Sequence, residues 1–218
     1  DSLSRLLAYN NVKFFKSDMQ GVADSMSYNL KDSMLYLYVS PILWSDDNQI
    51  TGDTISISII DGSMDRMNIN SRAFSVNIDT VGNFNQIKGR DMVAHLKNDQ
   101  MDKIFVYGNG EALYFALDEK DNSLIGMNKI LCSEMKLIFV DGDMNDITFY
   151  KDPEGQFIPP QELSEPQRRL KNFQWHIDKK PSLDDVLGKW KHTHTRPEPK
   201  PKLKPEITAP EDLSNLKK

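Results

Sequence analysis

The chain has 218 residues, of which 39% are hydrophobic and 27% charged, as in ordinary globular proteins of one or two domains. Its formal net charge is −5, and residues 1–150 carry 13 Lys and Arg against 21 Asp and Glu, a net of −8. An acidic body argues against nucleic-acid binding, which needs basic surface to displace phosphate counterions. The chain also has no apolar run near the ~18 residues that span a bilayer.

A recurring segment divides the first 150 residues into repeats. Asn48–Ile55 returns as Asn85–Met92 and, more weakly, as Asn128–Met135. A Met follows nine positions after each copy, at Met64, Met101 and Met144, and a fourth copy lies around Ala23 and Met26. Repeated units must stack to bury their apolar faces, so the repeat predicts a stacked architecture.

Each repeat is predicted to consist of strands, because its apolar residues recur at every second position. The alternating groups are Ile55, Ile57, Ile59; Phe74, Val76, Ile78; Met92, Ala94, Leu96; Leu113, Phe115, Leu117; and Met135, Leu137, Phe139. Turn-forming residues lie between them, as at 61–63, 98–100 and 141–143. The predicted unit is therefore strand, tight turn, strand, corner, strand.

The beginning of the chain matches only the second half of a unit. Residues 9–15 align with 107–113 of the third repeat. We therefore expect either that the chain is a piece of a longer polypeptide or that its first strand pairs with a neighbouring molecule, because an open strand edge favours further pairing.

The composition changes near residue 153. Ten of the 11 prolines lie from Pro153 onward, so regular strands are expected to end there. The sequence predicts a β-repeat domain over 1–160, a short helical or irregular extension over 161–190, with a helix over 161–173 broken by Pro166, and a disordered Pro/Lys-rich tail over 191–218.

No residue pattern indicates catalysis or a cofactor. The sole cysteine, Cys132, occupies a position that holds a small residue in the other repeats, which favours a packed thiol. His192 and His194 lie in the predicted tail and lack a nearby cysteine, so a metal site is not expected. Paired carboxylates such as Asp46-Asp47 fall in turns, where Asp is favoured for backbone reasons. The sequence thus predicts a non-enzymatic protein with no metal or cofactor.

The repeated signatures, together with 43–55 and 107–115, resemble those of the OstA/LptA-like periplasmic proteins of Bacteroidetes-type Gram-negative bacteria. The resemblance extends from about Leu6 to Pro160. It implies an all-β fold, an open, folded-over β-jellyroll of two facing antiparallel sheets that carries the acyl chains of lipopolysaccharide across the periplasm. It also implies end-to-end joining through edge strands, with other jellyroll proteins of a transport bridge or with further copies of the chain.

Strand alternation predicts which side chains would contact an acyl chain in such a groove. They are Ile55, Ile57, Ile59, Met64, Met67, Ile69, Phe74, Val76, Met92, Leu96, Ile104, Val106, Leu113, Phe115, Leu137 and Phe139. Lys88, Arg90 and Lys129 are the cations expected near lipid phosphates. Two alternatives remain open at this point: a lipid groove between the sheets, or a closed core in a structural β-repeat module that assembles edge to edge.

Overall fold

The computed structural model describes residues 4–45, 47–140 and 143–193. Fourteen strands fill most of this part of the chain, and all of their pairings are antiparallel. The strands are β1 Arg5–Lys16, β2 Met19–Asn29, β3 Met34–Tyr38, β4 Ile42–Ser45, β5 Asn48–Thr51, β6 Thr54–Ile60, β7 Ser63–Asn70, β8 Ala73–Ile78, β9 Phe84–Gly89, β10 Asp91–Lys97, β11 Gln100–Leu117, β12 Leu124–Val140, β13 Asp143–Tyr150 and β14 Glu154–Ile158. The predicted all-β, folded-over jellyroll is confirmed.

The strands form two facing sheets that share their longest members. In the first sheet the order is β1-β2-β3-β6-β7-β10-β11-β12-β13, and in the second it is β1-β2-β4-β5-β8-β9-β11-β12-β14. The long strands pass from one sheet to the other: residues 100–107 of β11 pair with β10, and residues 111–113 pair with β9. Each repeat therefore contributes one hairpin to each sheet.

The sheets meet along a corner where the backbone turns sharply. Pairs of consecutive left-handed residues mark every second crossing of this corner: Asn10 and Asn11, Val39 and Ser40, Ser71 and Arg72, Gly108 and Asn109, Lys151 and Asp152. Positive φ is unfavourable for most L residues, and Gly and Asn tolerate it best. These pairs place the sharp backbone turn at equivalent positions of the repeated units.

Small residues line the inner side of this corner in the second sheet. Ala73 pairs with Gly89, and Gly110 pairs with Cys132. A Cβ on Gly89 would lie 2.4 Å from Val106 Cγ1 of the first sheet. The second sheet thus lacks side-chain bulk where the first sheet presents it, and the two layers interlock.

The segment after β14 crosses the outer face of the second sheet. It contains 3-10 turns at Pro160–Glu162, Glu165–Arg168 and Ile177–Lys179, and helix α1 at Leu183–Thr193. The helix predicted over 161–173, broken by Pro166, is wrong. Leu163 and Ser164 are extended between two separate 3-10 turns, and Pro166 lies in the first turn of the second, where its missing N–H costs no hydrogen bond. The tail was predicted to begin at 191, but helix α1 continues to Thr193. The rest of the predicted tail, from 194 onward, lies outside the described residues.

We call residues 159–182 the strap. Two glutamines of the repeated signature hold it. Gln86 Nε2 donates to Arg168 O at 2.8 Å and Gln86 Oε1 accepts from the Leu170 N–H at 2.8 Å. Gln49 makes the equivalent pair with Gln174 O at 2.9 Å and the His176 N–H at 2.7 Å. Both side chains are almost fully buried.

Candidate functional site

The candidate site is the seam between the two sheets. On its first-sheet side, two apolar rows cross nine strands in continuous register. The row next to the corner is Ala8, Met26, Leu37, Ile55, Ile69, Met92, Val106, Met135 and Phe149. The next row is Leu6, Tyr28, Leu35, Ile57, Met67, Ala94, Ile104, Leu137 and Ile147. This face is a continuous apolar surface.

Burial of this surface decreases from the corner toward the hairpin turns. Ile69 and Met92 in the corner row are 1% exposed, as is Ile57 in the second row. Beyond them, Ile59, Leu96 and Phe139 are only partly buried. The two sheets are therefore in tight contact at the corner and less so at their free ends, which we call the mouth of the seam.

The first sheet ends at the mouth in three similar hairpins. Each has a register shift just before a closing apolar pair: Ile59 with Met64, Leu96 with Met101, and Phe139 with Met144. A bulge increases local twist and redirects side chains. The methionines that recur in the sequence thus form one lip of the mouth, where an unbranched thioether adapts to varied apolar shapes.

The second sheet presents polar side chains at its side of the mouth. Asn77 Nδ2 donates to Asn48 Oδ1 at 3.2 Å, and Asn85 Nδ2 donates to Asn77 Oδ1 at 3.4 Å. Asn85 Oδ1 also accepts from the Phe115 N–H at 2.9 Å. The seam is therefore amphipathic at its mouth, with an apolar lip on one sheet and an amide ladder on the other.

An ion pair joins hairpins of the two sheets. Lys16, beside the β1–β2 turn at the end of the second sheet, places Nζ 2.9 Å from Asp99 Oδ2 in the β10–β11 turn of the first. Asp99 Oδ1 accepts from the Met64 N–H at 2.8 Å. Hydrogen bonds from Lys16 and Met64 lower the pKa of Asp99, and the bond to Asp99 raises the pKa of Lys16.

Twelve of the sixteen residues predicted to contact lipid lie together on the inner side of the first sheet. They are Ile55, Ile57, Ile59, Met64, Met67, Ile69, Met92, Leu96, Ile104, Val106, Leu137 and Phe139, and all belong to one apolar cluster. That cluster also includes inward residues of the second sheet, such as Leu43, Ile50 and Ala112.

The other four predicted residues lie elsewhere. Phe74, Val76, Leu113 and Phe115 belong to a second cluster with Leu170 of the strap, on the outer face of the second sheet. The second sheet carries apolar residues on both faces, so alternation alone does not say which face points inward. The outer face carries large residues such as Phe74 and Phe115 under the strap. The inner face combines the small residues Ala73 and Ala112 with the larger Leu43 and Ile50.

The expected cations also lie away from the seam. Lys88 pairs with Glu111 at 2.8 Å on the outer face of the second sheet, and Arg90 pairs with Asp91 at the corner. Lys129 pairs across strands with Leu113 and Gln156, again on the outer face. The geometry does not place these three side chains near the mouth.

The described residues offer no metal centre. No group of three or more His, Cys, Asp and Glu side chains in the described ranges is arranged to hold an ion. Cys132 is 8% exposed, and burial raises the pKa of its thiol, which makes it a packing residue and a weak nucleophile. No helix in this part of the chain is long and apolar enough to cross a membrane.

The sequence does not identify Gln49 and Gln86, the glutamines of the repeated signature, as residues that hold the strap. Within Asn-Gln-Ile-x-Gly, alternation assigns Gln to the face opposite Ile, but the partner of that face is a segment more than 80 residues away. The available signal was the recurrence of Gln at the same position of two repeats, at Gln49 and Gln86.

Neither a scan against protein-family models nor a search of curated proteins gives a match. Among solved structures, the chain is similar to LptH, the LptA homologous periplasmic component of the conserved lipopolysaccharide transport device from Pseudomonas aeruginosa. The two are 12% identical with a TM-score of 0.45, over 60% of this chain and 85% of that one.

Proposed function

We propose that this protein is a non-enzymatic lipid carrier that binds acyl chains of lipopolysaccharide, or of a related lipid, in the seam between its sheets. The observation that carries the proposal is the apolar face of nine strands whose burial decreases toward a methionine-lined mouth. Acyl chains need apolar contact and few specific polar partners, which this surface supplies.

The energetics favour entry at the mouth. Burying a methylene contributes about 0.8 kcal/mol, so a chain of about a dozen carbons gains several kcal/mol after ordering costs. The corner rows are close-packed, and displacing them would create strain. Met101 and Met144 are only partly buried, and Met64 is buried at the edge of the same cluster. Their unbranched side chains can move aside at low cost.

The amide ladder opposite the lip supplies the polar side of the proposed site. Acyl carbonyl and hydroxyl groups near a lipid headgroup can accept or donate hydrogen bonds to Asn48, Asn77 and Asn85. We therefore place the lipid with its chains toward the first sheet and its polar atoms toward the second.

Photo-crosslinking tests this proposal. A benzophenone amino acid replaces Phe139 at the mouth or, as a matched control, Phe105 on the outer face of the first sheet; both native side chains are partly buried aromatics on neighbouring strands. With purified lipopolysaccharide we expect adducts at position 139 and not at 105. Equal labelling, or none at 139 in a folded protein, would contradict a lipid path through the seam.

Location and partners follow from the same proposal. A carrier of lipopolysaccharide would act in the periplasm and deliver its lipid toward the outer membrane. It would pass that lipid to other β-jellyroll proteins of a transport bridge, or to further copies of itself joined head to tail.

A second candidate function, a structural module that assembles edge to edge, is favoured by the two ends of the fold. In the described chain β1 pairs only with β2, while β13 and β14 pair only with β12. Tyr9 on β1 and Phe157 on β14 are 64% and 52% exposed. Such edges present unpaired backbone groups. Sedimentation velocity over a hundredfold concentration range would show growing oligomers under this candidate, and a strictly monomeric protein would exclude it.

A further inference from the structure

A groove lies outside the seam, along the corner between the second sheet and the strap. It has a volume of about 840 Å³, within the range of small-molecule sites. Its floor includes the cross-strand neighbours Thr51, Phe74 and Lys88, and one wall is formed by residues 171–174 of the strap. Nothing in the proposed lipid path uses this groove.

The groove is basic although the body of the protein is acidic. Five cationic side chains line it, against the two carboxylates Asp53 and Glu111. The cations are Arg72, Lys88, Arg90, Lys171 and Lys179. Residues 1–150 as a whole carry a net charge of −8, so this local excess of positive charge opposes the overall distribution.

Two of the cations have no carboxylate partner. Within the described ranges neither Lys171 nor Lys179 forms an ion pair, and both are exposed. Arg72 pairs with Asp53, and Arg90 pairs with Asp91, with both arginine side chains more than 70% exposed. Exposed pairs of this kind contribute little and exchange readily for another anion.

The remaining lining suits a ligand with several hydrogen-bonding oxygens. Asn109 at the corner and Asn172 of the strap both line the groove with amide groups. His176 also lines the groove, and burial, followed by the nearby Lys179, lowers its pKa. Arginine and lysine line the groove both at the corner and on the strap, and guanidinium and ammonium groups are the side chains that bind phosphate oxygens.

The strap gives the groove a fixed shape. Gln86 holds the strap at 168–170 and Gln49 holds it at 174–176. The intervening residues 171–173 belong to the wall of the groove. Arg169 lies 4.8 Å from the centroid of the Phe84 ring and 4.7 Å from that of Phe173, which adds a further contact between strap and sheet. The wall is therefore in place before any ligand arrives.

We propose that this corner groove binds a phosphate-bearing molecule through Arg72, Arg90, Lys171 and Lys179. The phosphate belongs either to a soluble sugar phosphate or to the headgroup of a lipid. The site is separate from the seam and does not depend on acyl-chain binding there.

Calorimetric titration at low ionic strength tests the proposal. The probes are glucose 1-phosphate, glucose, and didodecanoyl phosphatidic acid in nonionic detergent micelles, with empty micelles as the blank. We expect heat of binding for a phosphate-bearing probe and none for glucose. Binding should weaken as salt rises from about 0.02 to 0.15 M, because the Debye length shortens to about 8 Å.

A matched pair of double variants separates a local site from the effect of net charge. Arg90→Gln with Lys179→Gln removes two groove cations, and Lys97→Gln with Lys136→Gln removes two lysines of the first sheet that do not line the groove. We expect the first pair to weaken phosphate binding by roughly tenfold or more and the second to leave it within about twofold. Circular dichroism checks that both variants fold.

The outcomes are distinct. Binding of glucose 1-phosphate supports the site with a soluble ligand, and binding of phosphatidic acid alone supports it with a lipid headgroup. No phosphate-dependent heat with either probe overturns the proposal. Equal weakening by the two double variants also overturns it, because the attraction would then come from overall charge. Lipid crosslinking at position 139 is expected to persist in all of these variants, so the two proposals fail independently.

Discussion

Lys16 Nζ lies 2.9 Å from Asp99 Oδ2, and this contact joins a hairpin turn of the second sheet to one of the first at the mouth of the seam. Asp99 also accepts the Met64 N–H, so one carboxylate connects three segments. Among the ion pairs of the described residues, the Lys16–Asp99 pair is the one that links the free ends of the two sheets.

Asp99→Asn is expected to lower stability at neutral pH by about 1 kcal/mol or less, because Lys16 is nearly half exposed and the pair is screened by solvent. The pKa of Asp99 is lowered in the folded state, so its contribution is present above the unfolded-state pKa and is lost as the pH falls through the folded value. Urea unfolding of both proteins at pH 7 and at pH 3 should show the difference shrinking in acid.

The control for this variant is Asp61→Asn, in the exposed β6–β7 turn. Asn tolerates the positive φ of that position, so little change in stability is expected at either pH. A pH-independent loss in Asp99→Asn would mean that the hydrogen-bond geometry, and not the charge, is what matters.

Gln86→Leu is expected to destabilise the fold by about 2–3 kcal/mol. The side chain is 0% exposed, and its loss leaves Arg168 O and the Leu170 N–H without their partner in a buried environment. Urea unfolding measures the loss, and limited proteolysis should show earlier cleavage within 163–182. Gln156→Leu, at an exposed position of β14, is the matched control and should change neither.

Gly89→Ala is expected to cost about 1–3 kcal/mol, because the added methyl would lie 2.4 Å from Val106 Cγ1 and 3.2 Å from Tyr107 O. Gly155→Ala adds the same group where the nearest atom is Ile130 Cγ1 at 3.8 Å, so it should be close to neutral. Thermal unfolding of the two variants compares them directly. If Val106→Ala relieves the clash, the double variant will be more stable than the sum of the single changes.

The strands and their repeat could be predicted because alternation is a local property of the chain. Gly89 is one of the small residues that recur at this position of the repeat, and the structure shows that the missing side chain leaves room for Val106 of the opposing sheet. The first-sheet side chains such as Ile57 and Val106 were likewise assigned to one apolar face, since each strand there has a single buried side.

The second sheet could not be assigned in the same way. Phe115 alternates as Ile57 does, yet it lies under the strap because that sheet is covered on both faces. The outer face is distinguished by distant contacts with the strap, such as the hydrogen bond between Gln86 and Leu170, and no local pattern reports such a contact. The ion pair between Lys16 and Asp99 is equally non-local and depends on how the sheets fold over each other.

Phe115 and Phe139 therefore provide a test of which face meets lipid. Phe115 is 1% exposed, and Phe115→Ala should cost about 3–5 kcal/mol of stability by leaving a cavity against Met127 and Leu170. In the fraction that remains folded, lipid affinity should be unchanged. Phe139 is only partly buried at the mouth, so Phe139→Ala should cost less stability and weaken lipid binding.

Urea unfolding and a lipopolysaccharide binding assay on the same samples separate these effects. Lipid would lie on the first-sheet side of the seam if Phe115→Ala loses stability but keeps its lipid affinity, while Phe139→Ala loses lipid affinity and less stability. Affinity loss at 115 in a folded protein would instead place lipid beneath the strap. Unchanged affinity at both positions would remove the mouth from the lipid path and leave edge-to-edge assembly as the better account of this fold.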